Sequence, residues 1–228
     1  MTQQHDIAGG AAQSGRYTPT DRSRIRRNHK RAVYDRATIH AIVDATPLCH
    51  IGYVIDGQPF VTPTFHWRDG DTLYWHGSSA SRMLKAQKGG IPVCVTVTHF
   101  DGLVLARTAF DHTANFRTAI LYGKAQAITG SAEKNAALHD MMDLYFPGRM
   151  AQLRENTAKE LKATSVIRME IEDAVAKVRN GPPGDDEDGL SNKDVWAGVL
   201  PRTETWGTPE PDEHLSSNIP VPVYPRFR

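Results

Sequence analysis

Between Leu73 and Lys88 the chain reads LYWHGSSASRMLKAQK, a run that sets one glycine and three serine hydroxyls beside the spaced cations Arg82 and Lys85. A strand ending at His76 and Gly77 would hand over to a helix starting near Ser79 to Ser81. Gly77 would let the backbone approach a ligand, and Ser78, Ser79 and Ser81 offer hydroxyls beside the free amides of a helix N-terminus. Such a place attracts phosphate. Arg82 and Lys85 are three residues apart and so share a helix face. In the first turns their charge opposes the helix macrodipole, a conflict that a bound anion would relieve. A solvated basic helix capped by serine is the plainer reading of the same residues.

Other candidates lie within strand-like segments. In Val61-Thr62-Pro63-Thr64-Phe65-His66, Thr62 and Thr64 alternate with Pro63 and Phe65, so their hydroxyls share one face that could meet a ligand edge or simply line a half-exposed strand. Pro63 in mid-strand implies an edge or bulge, where backbone groups are free for a planar ligand. Asn115, Arg117 and Thr118 precede another strand, and Arg117 is either a cation near a ligand or one half of an inter-subunit salt bridge. His66, His76, His99 and His112 fall in or beside strands without ligand spacing or a recurring acidic partner, so no metal site is assigned. His76, next to the serine cluster, is the one placed to face a cofactor or substrate, or to be a rim histidine. No nucleophile elbow, Walker loop or dinucleotide fingerprint is present. No catalytic residue is assigned.

The elements that must position these groups follow from periodicity and turn chemistry. Asp35 is placed to cap a short amphipathic helix in which Ile39, Ile42 and Val43 recur at helical spacing before Pro47. Strand-like runs follow, punctuated by Asp56-Gly57, Asp69-Gly70 and Asp101-Gly102, a dipeptide that tolerates the positive φ of a tight hairpin. After FRTAILYGKAQAI a helix is predicted from Ser131 until Pro147-Gly148 stops it. Thr157-Ala158-Lys159-Glu160 matches a capping box, and SVIRMEIED alternates as a closing strand. An antiparallel meander with interspersed helices between about Pro47 and Glu172 predicts a mainly β fold with peripheral helices, a small barrel. Residues 1–30 read as a disordered basic N-terminal segment, 31–180 as the barrel domain, and 181–228 as a linker and extended C-terminal segment.

Bulk properties narrow the function classes. In 228 residues, 27 Lys and Arg face 26 Asp and Glu, so no global field favours nucleic acid or an anionic membrane. The basic run from Arg22 to Arg31 lacks interleaved aromatics and reads as a solvated or dimer-wrapping segment rather than a nucleic-acid arm. Cys49 and Cys94 sit in apolar runs as reduced core residues. No apolar stretch approaches the roughly 20 residues needed to span a bilayer, and the first residues lack a signal-peptide pattern, so a cytoplasmic location is expected.

The order of a helix, two hairpins, a strand ending in aromatic-His-Gly-Ser, the Ser81-Arg82 helix and VCVTVTHFDGLVLARTAF resembles the pyridoxamine 5′-phosphate oxidase-like, FMN-binding split barrels over roughly residues 30 to 180. The nearest branch comprises nitroimidazole-resistance reductases and flavin-nucleotide-binding proteins. The resemblance implies an antiparallel six-stranded split β-barrel and a homodimer with FMN at its subunit interface. It places Ser81, Arg82 and Lys85 on the phosphate, with backbone contacts from Gly77 and Ser78. The strand carrying Thr62, Pro63 and Thr64 would lie along the isoalloxazine, with His76, Arg117 and Thr118 near the cofactor. In that family Arg and Lys occur together after the Ser; here Met83 takes the second basic position. The activity implied is a flavin-dependent oxidoreductase acting on a small substrate, with NAD(P)H as candidate reductant; a non-catalytic flavin carrier or sensor and a haem- or deazaflavin-binding barrel are the alternatives. The tail after Asp188 is too apolar to be free. Trp196 in VWAGVLP is therefore a candidate to cover the cofactor or the partner's barrel, or else to pack on its own subunit.

Overall fold

A computed structural model describes residues 15–216 and 219–224. Residues 1–14 of the expected N-terminal segment lie outside the described residues. The strands are β1 (Ala32–Val33), β2 (Leu48–Ile55), β3 (Gln58–Asp69), β4 (Thr72–Ser78), β5 (Gly89–Leu105), β6 (Thr113–Ala127), β7 (Thr164–Glu170), β8 (Asp173–Arg179) and β9 (Gly198–Pro201). The helices are α1 (Arg36–Asp44), α2 (Arg82–Gln87), α3 (Ser131–Tyr145), α4 (Ala158–Ala163) and α5 (Glu187–Ser191).

Six strands close on themselves in the order β2, β3, β4, β7, β6, β5 and back to β2, every pair antiparallel. The fold is a mainly β, antiparallel six-stranded split barrel. The remaining strands extend this ring: β8 adds to β6 and carries β1, while β9 adds to β5. The interior is filled by alternating strand residues, among them Ile51, Leu73, Trp75, Val95, Leu121, Ile167 and Met169, each fully buried. Ile39, Ile42 and Val43 of α1 complete that core. A second cluster, Trp67, Val166, Ala137 and Tyr145, packs α3 against the outside of the wall.

Local chemistry sets the element ends. Asp35 accepts from the Thr38 amide at 2.8 Å and starts α1, and Thr157 and Glu160 form a complete capping box on α4. Asp56-Gly57 turns with positive φ at both residues, as a tight hairpin requires. Asp101-Gly102 does not turn. The strand runs on to Leu105 and the pair forms a bulge, with a register shift between Phe100 and Gly102. A Cβ on Gly102 would stand 2.4 Å from the Leu200 carbonyl oxygen, so glycine here admits β9 instead of a reversal. The predicted closing strand also divides: β7 completes the ring, and after Ile171-Glu172 the chain re-enters as β8.

From Gly15 onward the N-terminal segment packs on the barrel. Tyr17 and Ser23 are buried, Tyr34 Oη donates to the Ser23 carbonyl, and Arg22 bonds both Glu172 and Asp173. At Gly123 an added Cβ would lie 2.2 Å from the Glu170 carbonyl oxygen and 2.6 Å from Met169 Cγ, where β6 meets β7. Backbone cannot yield there, so Gly123→Ala should destabilise the barrel by about 1–3 kcal/mol. A urea unfolding midpoint equal to that of the wild type would show that this approach does not constrain the seam.

Candidate functional site

Strand β4 delivers the serine cluster at one mouth of the barrel. Within it, the Ser81 amide donates to the Ser78 carbonyl at 2.9 Å and the Ser79 amide to the Ala163 carbonyl at 2.8 Å, which fixes the turn against the end of α4. Helix α2 buries Met83, Leu84 and Gln87, and Gln87 accepts a bond from Trp75 Nε1 at 2.9 Å inside the core. The opposite face presents Arg82 and Lys85 to solvent. Neither cation has a carboxylate partner among the described residues. Ser81 occupies the N-cap position without spending its hydroxyl on a cap bond. Met83 therefore sits where a second cation would be buried, and Lys85, one turn on, is the residue that shares the exposed face with Arg82.

Gly77 also has a packing role. Its backbone is not left-handed; a Cβ there would come within 3.1 Å of Leu84 Cδ1, so glycine allows α2 to seat on β4.

The Arg82 guanidinium lies over the Phe60 ring, 4.4 Å from its centroid. Phe60 stacks on Tyr53 at 5.6 Å, and Tyr53 Oη is 3.1 Å from the Thr62 hydroxyl. Since Phe60, Thr62 and Thr64 alternate on β3, the structure brings the cation of α2 to the strand face that carries the two threonines. Pro63 points to the other, exposed side with Val61 and pairs with His50 of β2. The i, i+2 relation of Phe60 to Thr62 was the available sequence signal for Phe60, and Tyr53 follows from the hairpin register.

The other candidates lie elsewhere on the chain. Thr118 on β6 pairs with Thr98, their hydroxyls 2.7 Å apart, and donates to the Val97 carbonyl. Arg117 forks onto Asp101 of the same chain at 2.9 and 2.8 Å. That pairing holds the Asp101 carboxyl below the usual carboxylate range and raises Arg117. Trp196 is largely exposed and folds back over Gly198, while the next residues pair as β9 with β5 of their own subunit. His76 lies on the outer side of β4, its ring tilted against Trp67 at 5.9 Å, and burial pushes its pKa down so that the neutral form prevails. Its Nδ1 is buried without a partner.

Three further histidines bond backbone carbonyls. His66 Nε2 and His99 Nε2 donate to the carbonyls of Val43 and Ile42 at 3.2 and 2.9 Å, satisfying the last turn of α1. His112 Nδ1 donates to the Thr108 carbonyl at 2.8 Å. Among the described residues no group of three or more His, Cys, Asp or Glu is placed to hold a metal ion, and no helix is long and apolar enough to cross a membrane.

One rim of the split barrel thus carries a serine turn, two cations without a carboxylate partner among the described residues, and a threonine-bearing strand. The chain belongs to the pyridoxamine 5′-phosphate oxidase family, whose model matches residues 35–178. No curated protein matches it. Among solved structures it is similar to the flavocytochrome Anf3 from Azotobacter vinelandii, at 45% identity over 90% of this chain and 95% of that one, with a TM-score of 0.85. It is also similar to the FAD and heme binding protein from Mycobacterium smegmatis, at 33% identity over 86% of this chain and 95% of that one, TM-score 0.80. A 5-nitroimidazole antibiotic resistance protein from Bacteroides thetaiotaomicron shares the fold at 22% identity over 64% of this chain and 86% of that one, TM-score 0.53.

The Arg117–Asp101 pair makes a pH prediction. Because the native Asp101 value is depressed, the stabilisation is complete above the unfolded carboxylate pKa of about 4 and is lost as pH falls through the native value. Asp101→Asn should flatten the acid limb of the stability profile below about pH 4. An unchanged acid limb would mean that the pair contributes nothing to folding.

Proposed function

We propose that this protein binds a flavin nucleotide, with its phosphate on Ser81, Arg82 and Lys85 and its ring system along Thr62 and Thr64 of β3. The observation that carries this reading is the seat of Arg82: an exposed guanidinium without an acidic partner, stacked on Phe60 at the head of the strand face where the threonines lie. A guanidinium offers a rigid fork to phosphate oxygens, and a serine hydroxyl beside it supplies a further donor. FMN carries the single phosphate this cradle calls for. The FAD named for the mycobacterial relative makes the cofactor released from purified protein the point to identify.

A bound flavin supplies hydride acceptance and donation, which makes a flavin-dependent oxidoreductase the activity we propose, with a small-molecule substrate. The chain's own residues anchor and orient: Arg82 and Lys85 neutralise the phosphate, and Tyr53 holds the Thr62 hydroxyl.

We propose further that the unit is a homodimer. Leu48, Val54, Val61 and Phe100 point outward from the adjacent strands β2, β3 and β5, each at least two-fifths exposed, and form an apolar surface suited to a second copy. Thr118 and Arg117 of β6 and Trp196 before β9 lie apart in sequence from the Arg82 cradle, and in a homodimer a second subunit would be the route by which they reach the same cofactor.

The similarity to a flavocytochrome and to a heme-binding protein favours a second reading, in which the chain carries haem together with flavin.

Arg82→Ala should weaken flavin-nucleotide binding by about 1.5–3 kcal/mol, the scale of a hydrogen bond to a charged group. Lys85→Ala should cost less, and Met83→Lys should lower stability without tightening binding, since position 83 is buried. Titration followed by flavin fluorescence reads these out; wild-type affinity in Arg82→Ala would move the phosphate elsewhere.

A further inference from the structure

Arg82 stands on the exposed face of α2, where a free arginine side chain would sample many rotamers and lose that freedom on binding an anion. Here part of the loss is met in folding. The guanidinium lies 4.4 Å from the centroid of the Phe60 ring, and Phe60 is itself held: it packs against the barrel core directly opposite Tyr53 of β2, the two rings stacked within 18° of parallel. A ring face fixed on a closed barrel gives the guanidinium a place to rest before any ligand arrives. An aliphatic side chain at position 60 would cover the same core without attracting a cation.

Tyr53 acts on the next part of the strand. It is buried, and among the described residues its hydroxyl has one partner, Thr62 Oγ1 at 3.1 Å. Two hydroxyls carry two protons, and one bond uses only one of them. A phenolic proton left unused in a buried place is costly, whereas the half-buried Thr62 can turn its own proton towards solvent or a ligand. Tyr53 therefore donates and Thr62 accepts. The Thr62 proton is left for an acceptor atom on the β3 face, so that Thr62 meets its ligand as a donor.

Both effects start from one cross-strand pair. Phe60 and Thr62 are two residues apart on β3, and their places opposite β2 are set by the Asp56-Gly57 hairpin, which pairs Tyr53 with Phe60 and Ile51 with Thr62. The spacing between cation and hydroxyl is thereby built into the hairpin.

We infer that the Tyr53–Phe60 pair is the positioning and specificity element of this site. Phe60 presets Arg82 and so sets the preference for a phosphorylated flavin over the ring alone; Tyr53 presets Thr62 as a donor to the ring. The inference rests on the flavin-nucleotide reading above.

Affinities of the flavin-free full chain for FMN and for riboflavin, followed by flavin fluorescence, test it. Phe60→Leu should cut the preference for FMN over riboflavin about two- to five-fold, the scale of one exposed cation–π contact, with riboflavin affinity unchanged. Phe60→Tyr, which keeps a ring, should retain the preference. Tyr53→Phe keeps the stack and should weaken both flavins alike, about two- to ten-fold, and should add nothing in a Thr62→Val background. A readout that needs no flavin completes the set: the side-chain proton resonances of Arg82 should be shifted by the Phe60 ring, and Phe60→Leu should return them to free-arginine values. The inference is overturned if those resonances already lie at free-arginine values in the wild type, if Phe60→Leu keeps the full preference while Arg82→Ala loses it, or if Tyr53→Phe costs the same with and without Thr62. Retention of the full preference in Arg82→Ala would instead overturn the phosphate reading itself, and the Arg82 variant tells that outcome from the others.

Discussion

The antiparallel pairing of β5 with β6 is the contact on which the rest of the molecule depends. It runs from Gly89 opposite Gln126 to Val104 opposite Thr113 and closes an open meander into a ring. Without it β5 and β6 would face each other across an open seam, and the interior valines and leucines would face water. β6 pairs with β5 along one edge and divides its other edge between β8 and β7, and Gly123 marks the place where this crowding leaves no room for a side chain. Because the ring is closed, the end of β4 has one position relative to β3, and α2 can set Arg82 over Phe60. The cradle is a consequence of closure.

The same architecture assigns opposite tasks to similar residues. Arg117 and Arg82 are both cations at strand or helix ends, yet Arg117 is neutralised by a forked bond to Asp101 while Arg82 rests on an aromatic face. Only the second is left to meet an anion. His66 and His99 close the carbonyl end of α1, whereas His76 stands on the outer wall in its neutral form. Structural histidines here are those whose ring protons are committed to backbone carbonyls.

Much of the fold was legible in the sequence, because its signals are local. Asp35, the Thr157 capping box, the Ser131 to Tyr145 periodicity and two of the three Asp-Gly turns each act within a few residues. The third Asp-Gly became a bulge because its environment is set by β9, a hundred residues later, which periodicity cannot see. The division of the last segment into β7 and β8 has the same origin. For the site, the cluster from Gly77 to Lys85 and the threonine face were readable as candidates. Their junction at Phe60 and Tyr53 was not, since it depends on the β2–β3 register and on where α2 lands. The burial of Met83 explains in retrospect the departure from the family's paired cations.

In the proposed site the cradle recognises a phosphate rather than the flavin ring alone. The most direct measurement compares the affinities of the same apoprotein for FMN and for riboflavin, which share the ring and differ in the phosphate. FMN should bind more tightly by about 1.5–3 kcal/mol or more, as charge-assisted bonds to phosphate require. Equal affinities for the two flavins would contradict it.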